Sequence, residues 1–220
     1  MEFSFAEENY LKAIYHLSQA GGVVSTNAIA DELHTSPASV TDMLKKLAGK
    51  EALHYVKYKG VSMTPKGMQV ALWVIRKHRL WEVFLVDKLR FSWDEVHEVA
   101  EQLEHIRSKL MIERLDEFLG FPKVDPHGDP IPDQHGHIDA PRAQPLTAVP
   151  LLLPMQVMAV KDTSTAFLKY LDKLGIGIGT AIRVLERMEY DGSLEIAVGP
   201  EQRRALISSH VGEHICVAPQ

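Results

Sequence analysis

Among the 220 residues there is one cysteine, Cys216. A lone thiol excludes a disulfide framework and any four-thiolate zinc site, and it suits a reducing compartment. Long apolar runs are missing too. None approaches the eighteen or so residues that a membrane-spanning helix needs. The opening stretch, MEFSFAEENYLKAI, is acidic and lacks the basic, apolar and small-residue order of a secretory signal. The expectation is a soluble cytoplasmic protein without membrane contact. Positive charge is in deficit, with 24 Lys and Arg against 29 Asp and Glu and a net charge of −5. That balance argues against a general polyanion binder unless the basic residues are concentrated locally. No internal repeat is visible. A helical H-E-x-x-H, a nucleophile elbow and a phosphate loop are all absent, so the common routes to hydrolytic chemistry lack their motifs and no enzyme is expected.

What is present is a chain with 45% hydrophobic residues, long enough to bury one large core or two to three small ones. Residues 5 to 19 carry helical periodicity (Tyr10, Leu11, Ile14, Tyr15, Leu17) and stop at Gly21-Gly22. In STNAIADELHTSPASVTDMLKKLAGKEAL, Ser25 or Thr26 caps a short helix reaching Leu33, and the TSP at 35 to 37 caps a second that runs to about Gly49. Two short helices joined by a tight turn form a helix-turn-helix. The following LHYVKYKGVSMTPKG alternates as a hairpin does, with Lys59-Gly60 at its turn, and so reads as a wing. The missing positive charge is found here: Lys45, Lys46, Lys50, Lys57, Lys59 and Lys66 face a single acid, Glu51. The helix starting near Ser36 should enter a major groove by its N-terminal end, with Ser36, Ala38, Ser39, Thr41 and Asp42 towards bases or phosphates. Lys45, Lys46, Lys57 and Lys59 supply phosphate contacts. Asp42 either accepts from a cytosine amino group or points aside.

Residues 67 to 90 and 92 to 119 predict a pair of long helices with an apolar seam, a pairing that often dimerises. Seven of the twelve prolines lie between Pro122 and Pro150, which predicts a linker without helix or central strand. Beyond it, MQVMAVK, AIRVLERME, LEIAVG, RALISS and HICVAP are strand-like, with one helix in TSTAFLKYLDKLGI, and suggest a small barrel. The fold class is therefore mainly α with a small β domain. Its parts are a winged helix-turn-helix over 1–72, a helical domain over 73–140, a proline-rich linker over 141–149 and the barrel over 150–220.

One stretch of the second long helix, WDEVHEVAEQLEHIRSKL, places His97, Glu101, Glu104 and His105 within a sector of about 100° at helical pitch. Imidazole and carboxylate donors on one face suit Mn²⁺, Fe²⁺, Co²⁺ or Zn²⁺ better than Ca²⁺. Upstream, His78 and Glu82 repeat the i, i+4 spacing. His127, His135 and His137 lie near Asp125 and Asp129 in the proline-rich stretch. The same pattern also suits a plain ion-pair face, since His97 and Glu101 at i, i+4 make an exposed pair worth about 0.2–0.5 kcal/mol. For His135 and His137 the reading is surface residues without a site.

The order of EENYLKAIY (7 to 15), SPASVTDMLKKL (36 to 47), MTPKG (63 to 67), RKHRLWEVFL (77 to 85), WDEVHEVAEQLEH (93 to 105) and DPHGDPIP (125 to 132) resembles the diphtheria-toxin-repressor-like metalloregulators. That family includes manganese transport regulators and iron-dependent repressors, and the C-terminal part resembles the SH3-like, FeoA-type domain of its longer members. The resemblance implies a homodimeric repressor of metal-uptake genes that binds a double-stranded DNA operator when loaded with metal. It implies a primary site of Asn9, Glu101, Glu104 and His105 and an ancillary site of His78, Glu82, His97, Asp125, His127 and Asp162. Iron-type members have a cysteine where this chain has Glu101, and a hard carboxylate there shifts the preference to Mn²⁺, with Fe²⁺ the alternative and Zn²⁺, Co²⁺ or Ni²⁺ as surrogates. Asn9 departs from the aspartate or methionine usual at its position and can coordinate only through a neutral amide oxygen. Two competing readings are a metal-dependent hydrolase and a winged-helix regulator, constitutive or responsive to an organic ligand, in which the His/Glu face is structural.

Overall fold

The computed structural model describes residues 3–19, 21, 23–56, 59–139 and 142–220. The chain forms two compact units. The first runs up to His78 and takes in Leu103–Arg107 and Pro132–His137; the second holds Arg79–Gln102, Ser108–Ile131 and everything from Ile138 onward.

In the first unit, α1 (Phe5–Ser18) starts at a capping box. The Ser4 amide donates to Glu7 Oε2 at 2.7 Å and the Glu7 amide to Ser4 Oγ at 3.4 Å, so two orphan donors at the helix start are satisfied. Helix α2 (Thr26–Glu32) is capped by Ser25, and α3 (Pro37–Gly49) by Ser36 with proline in its first turn. Strands β1 (Leu53–Val56) and β2 (Gly60–Met63) pair antiparallel with Leu53 opposite Met63, which makes the wing. Lys57 and Tyr58 lie outside the described residues. Leu11, Ile14, Ile29, Val40, Leu44, Leu47 and Val61 from all three helices and the wing form one core. The long α4 (Pro65–Leu89) follows directly. Thr64 Oγ1 accepts from the Gly67 amide at 3.1 Å and donates to the Glu51 carbonyl at 2.7 Å. A Cβ on Gly67 would stand 2.1 Å from the Ala52 carbonyl oxygen. The MTPKG stretch is thus a helix cap pressed against the backbone that leads into the wing.

In the second unit, α5 (Val96–Leu103) and α6 (Lys109–Phe118) replace the single helix expected over 92–119. Helix α5 stops at Leu103, and Ser108 Oγ accepts from the Met111 amide at 3.3 Å to open a new helix. Leu110, in the first turn of α6, is 63% exposed. Beyond α6 come β3 (Gln144–Pro145), β4 (Met155–Val160), α7 (Thr165–Leu174), β5 (Ala181–Arg187), β6 (Leu194–Val198), β7 (Arg203–Ile207), α8 (Ser209–His214) and β8 (Ile215–Pro219). They build an antiparallel six-stranded sheet in the order β3-β8-β4-β5-β6-β7, where the strand pattern predicts a small barrel and the family resemblance an SH3-like domain. Helix α8, capped by Ser208, escaped that pattern because six residues are too few to show a period.

The proline-rich stretch is not a slack linker. Asp125 Oδ1 accepts from the His127 and Asp129 amides at 2.8 and 3.0 Å, and Val124 bridges to Pro130. Asp125, His127 and Ile131 are buried. The segment read as linker at 141–149 supplies β3, which pairs with β8, and Leu146 and Val149, which belong to the β-domain core. Prolines deprive this stretch of amide donors, but carboxylate-stabilised turns and side-chain burial do not need an unbroken ladder. Ala140 and Pro141 lie outside the described residues.

Candidate metal centre

In the first unit, Glu104 and His105 sit in the turn that follows α5, and α1 meets them. Lys12 Nζ donates to both Glu104 oxygens, at 2.7 and 2.9 Å, and His78 Nδ1 lies 2.6 Å from Glu104 Oε2. His105 Nδ1 is 2.8 Å from Glu8 Oε2, its Nε2 3.8 Å from Glu104 Oε1, and its ring stacks on Phe5 at 4.7 Å. Lys77 Nζ stands 3.7 Å from Glu8 Oε2. Burial raises the pKa of Glu104, but the His78 and Lys12 contacts outweigh it, so its carboxyl is held below the ordinary value. Burial lowers that of Lys77, against the pull of Glu8 and Glu104. One step back along α1, Glu7 accepts from Lys50, the C-cap of α3, at 2.8 Å and pairs with Lys46 of α3 at 3.2 Å. The helix therefore touches the Glu104 cluster through Glu8 and Lys12, and the recognition helix through Glu7.

In the second unit, Glu82 of α4 meets Asp125 and His127 from the turn. All three are buried, and one ligand atom from each lies within 4.8 Å of the others. His127 Nε2 lies 2.7 Å from the Trp93 carbonyl oxygen, which can only accept, so Nε2 carries the hydrogen. In the neutral ring Nδ1 is then the lone pair, and it faces Glu82 Oε2 at 3.8 Å. The Trp93 indole stacks on the His127 ring at 6.1 Å and donates to Asp172 of α7 at 3.0 Å. Arg79 holds the outer side, 3.4 Å from Asp125 Oδ2 and 3.0 Å from Asp129 Oδ2. Burial first, then Glu82 and Asp129, push the Asp125 carboxyl up to about 7, against Arg79 and His127. Burial disfavours the charged form of His127, but Glu82 and Asp125 outweigh it and raise its pKa. His97 lies 3.5 Å from Glu101 and 3.6 Å from Glu82. Contacts first with Glu101 and then with Glu82 bring its pKa up to about 9, against burial. Crowded nitrogen and carboxylate donors short of positive charge fit a divalent cation of the Mn²⁺ to Zn²⁺ type.

Glu104 and His105 come together, and His78 lies against Glu104. Asn9 is exposed, and the groups of α1 that reach the cluster are Glu8 and Lys12. Glu101 is half-exposed and pairs with His97. Glu82, Asp125 and His127 converge as expected. Asp162 accepts from the Ser164 amide at 2.8 Å, next to the start of α7. Glu8, Lys12, Lys77, Arg79 and Trp93 were not picked out. Lys77 carried a signal, since a lysine amid VALWVIRKHRLWEVFLV has to be buried with a counter-charge.

On the winged helix, Ser36, Ala38, Ser39, Asp42, Lys45, Lys46 and Lys59 are exposed and Thr41 is half-buried. Asp42 pairs with Lys45 at 3.1 Å, so it points along the helix. Thr41 Oγ1 donates to the Pro37 carbonyl at 2.9 Å, and Ser36 Oγ caps the Ser39 amide at 3.2 Å. Lys46 is 56% exposed despite its pairing with Glu7, whereas Lys50, at 20%, is largely committed to that carboxylate.

A winged helix-turn-helix whose first helix enters a histidine–carboxylate cluster, followed by a small β domain, is the build of a metal-responsive regulator. Residues 2–61 match the family described as iron dependent repressor, N-terminal DNA binding domain. Residues 64–133 match its metal binding and dimerisation domain, and 145–219 match the FeoA domain. The chain belongs to this iron-dependent, diphtheria-toxin-repressor-like family, whose members are DNA-binding transcriptional repressors and not enzymes. The HTH-type transcriptional regulator MntR of Listeria monocytogenes is 36% identical over 114 residues, covering 52% of this chain and 80% of that protein. The iron-dependent repressor IdeR of Mycobacterium leprae is 35% identical over 125 residues, 57% of this chain and 54% of that protein, so the match spans about half the length of this relative. A solved structure of a manganese-dependent transcriptional repressor in complex with manganese superposes with a TM-score of 0.88 at 33% identity. It covers 97% of this chain and 100% of that one.

Proposed function

We propose that this chain is a homodimeric, metal-activated transcriptional repressor that holds a double-stranded DNA operator and takes Mn²⁺ as its activating ion. The observation that carries the reading is the position of α1. It brings Glu8 and Lys12 to the cluster of Glu104, His105 and His78, and Glu7 to Lys46 and Lys50 of α3. A change of charge at Glu104 is felt by α1, and α1 is bonded to the helix that reads DNA. Bound at that cluster, a divalent cation would supply the positive charge that fixes α1 against Glu104 and His105. Glu82, Asp125 and His127 form the ancillary site, with the Trp93 carbonyl fixing the imidazole tautomer. A DNA operator places the protein in the cytoplasm.

The choice of Mn²⁺ rests on donor chemistry, since Glu104, His105 and His78 offer carboxylate and imidazole with no thiolate to favour softer ions. The 36% identity to a protein named MntR and the 0.88 TM-score to a manganese-dependent repressor support it. Fe²⁺ is the second reading, favoured by the 35% identity to IdeR. Leu110, Met111, Phe118 and Phe121 on α6 and just after it are all exposed, an apolar patch suited to a second copy. The test uses duplexes selected from a random-sequence pool in the presence of Mn²⁺. With both Glu104→Ala and His105→Ala in place, retention of those duplexes should no longer change on adding Mn²⁺. Full Mn²⁺-dependent retention by the double variant would refute the assignment.

A further inference from the structure

Lys12 stands where a cation belongs. One ammonium engages both oxygens of Glu104, at 2.7 and 2.9 Å, and the Glu104 side chain is fully buried. His78 takes up the same carboxylate at 2.6 Å. Around this point two carboxylates, Glu8 and Glu104, are matched by two ammonium groups, Lys12 and Lys77. The cluster is already neutralised by the chain itself. Asn9, which the family resemblance makes the ligand of α1, is neutral and exposed, and the α1 group that meets the Glu104 carboxylate itself is the Lys12 ammonium.

We propose that Lys12 is a tethered counter-ion that competes with the divalent cation for the Glu104 carboxylate, and so sets the metal concentration at which the protein responds. The inference rests on the reading of Glu104 and His105 as metal ligands. A divalent ion needs at least one Glu104 oxygen, and both are taken by an ammonium whose charge-assisted bonds are strengthened by burial. Metal binding therefore includes the release of Lys12. A way out exists, because the Lys12 side chain is 15% exposed and hangs on a flexible four-carbon stem. Lys77 cannot act in the same way: at 3% exposure it is closed off, and it lies against Glu8 at 3.7 Å. Lys12 also belongs to α1, so its release frees that helix from one tie to Glu104 at the moment the metal provides another.

The test is a Mn²⁺ titration against a fluorescent chelator of known affinity, using the full chain. Lys12→Gln should bind the Glu104-dependent Mn²⁺ equivalent about tenfold tighter than the unaltered protein, the loss of one charge-assisted contact as competitor. Lys12→Arg, which keeps the charge, should stay close to the unaltered affinity. Mn²⁺ should also raise the melting temperature of Lys12→Gln more than that of the parent. Lys12→Met, which keeps the methylene packing, repeats the measurement if glutamine disturbs α1. Equal or weaker Mn²⁺ binding by both neutral variants, with that equivalent still lost in Glu104→Ala, overturns the proposal alone. Retention of every Mn²⁺ equivalent by Glu104→Ala overturns the ligand assignment, and the inference with it.

Discussion

Glu7 caps one helix and ties it to another. It caps its own helix through the Ser4 amide and neutralises Lys46 and Lys50 of α3, all from a fully buried side chain. Burial works against its charge, yet the Lys50, Ser4 and Lys46 bonds bring its pKa from 4.5 down to about 2. A depressed carboxylate pKa stabilises the folded state above about pH 4.5, and that contribution is lost as the pH falls towards 2. Glu7→Gln should therefore lower stability at pH 7 by about 1–3 kcal/mol, because a buried acceptor of charged donors is weakened while its lysines remain partly solvated. In melting curves the gap between parent and variant should narrow below pH 4.5. A gap unchanged down to pH 2.5 would contradict the assignment. At this scale the sequence was informative about residue types and less so about partners. The Ser4–Glu7 spacing is a written capping box, and Glu104–His105 was evident as a donor pair. That Glu8 and Lys12 rather than Asn9 turn towards that pair follows from where α1 docks, which no local pattern encodes.

At the scale of elements, the stretch from Asp125 to Ile131 is held by backbone contacts as much as by its buried side chains. The Val160 amide donates to the His127 carbonyl at 2.9 Å, and Gly128, at φ +88°, lies against β4. A Cβ there would stand 2.0 Å from the Met158 carbonyl oxygen and 2.6 Å from the Ala159 Cα. Strand β4 carries a register shift between Val157 and Ala159 at the same place, so the strand bulges where the turn approaches. Gly128→Ala should cost at least about 1 kcal/mol from strain alone. It should also weaken Mn²⁺ binding at Glu82, Asp125 and His127 by displacing two of the three ligands. Calorimetric titration of the variant with parent-like affinity at both sites would show that the turn does not position them. The helix boundaries of the DNA-binding half were legible, because Ser25, Ser36 and Pro37 act within one turn. The break between α5 and α6 was not, since the apolar spacing of Leu103, Ile106 and Leu110 continues across it although α5 stops at Leu103 and Ser108 opens a new helix. The proline-rich stretch misled for the opposite reason. Composition reports the absence of a ladder but says nothing about burial against a neighbour.

At the scale of the whole molecule, three segments with separate tasks were legible as shifts in composition: a basic winged helix-turn-helix, His/Glu-bearing helices and a β-rich end. Family models for the two iron-dependent repressor domains match 2–61 and 64–133, and the FeoA model matches 145–219. Net charge was a poor guide to the partner, since a chain at −5 keeps Lys45, Lys46 and Lys59 exposed on the winged helix. No helix among the described residues is long and apolar enough to cross a membrane.

The central claim is that DNA affinity is controlled by a divalent cation at the Glu104–His105 cluster. The most direct measurement is an anaerobic DNA-binding titration with Mn²⁺, Fe²⁺ and Zn²⁺ at matched free concentrations, alongside a chelated control, on duplexes selected with this protein. The account predicts tight retention with Mn²⁺ at the lowest free concentration, weaker response to the others, and release on chelation. Retention that is the same with each ion and with none would contradict it.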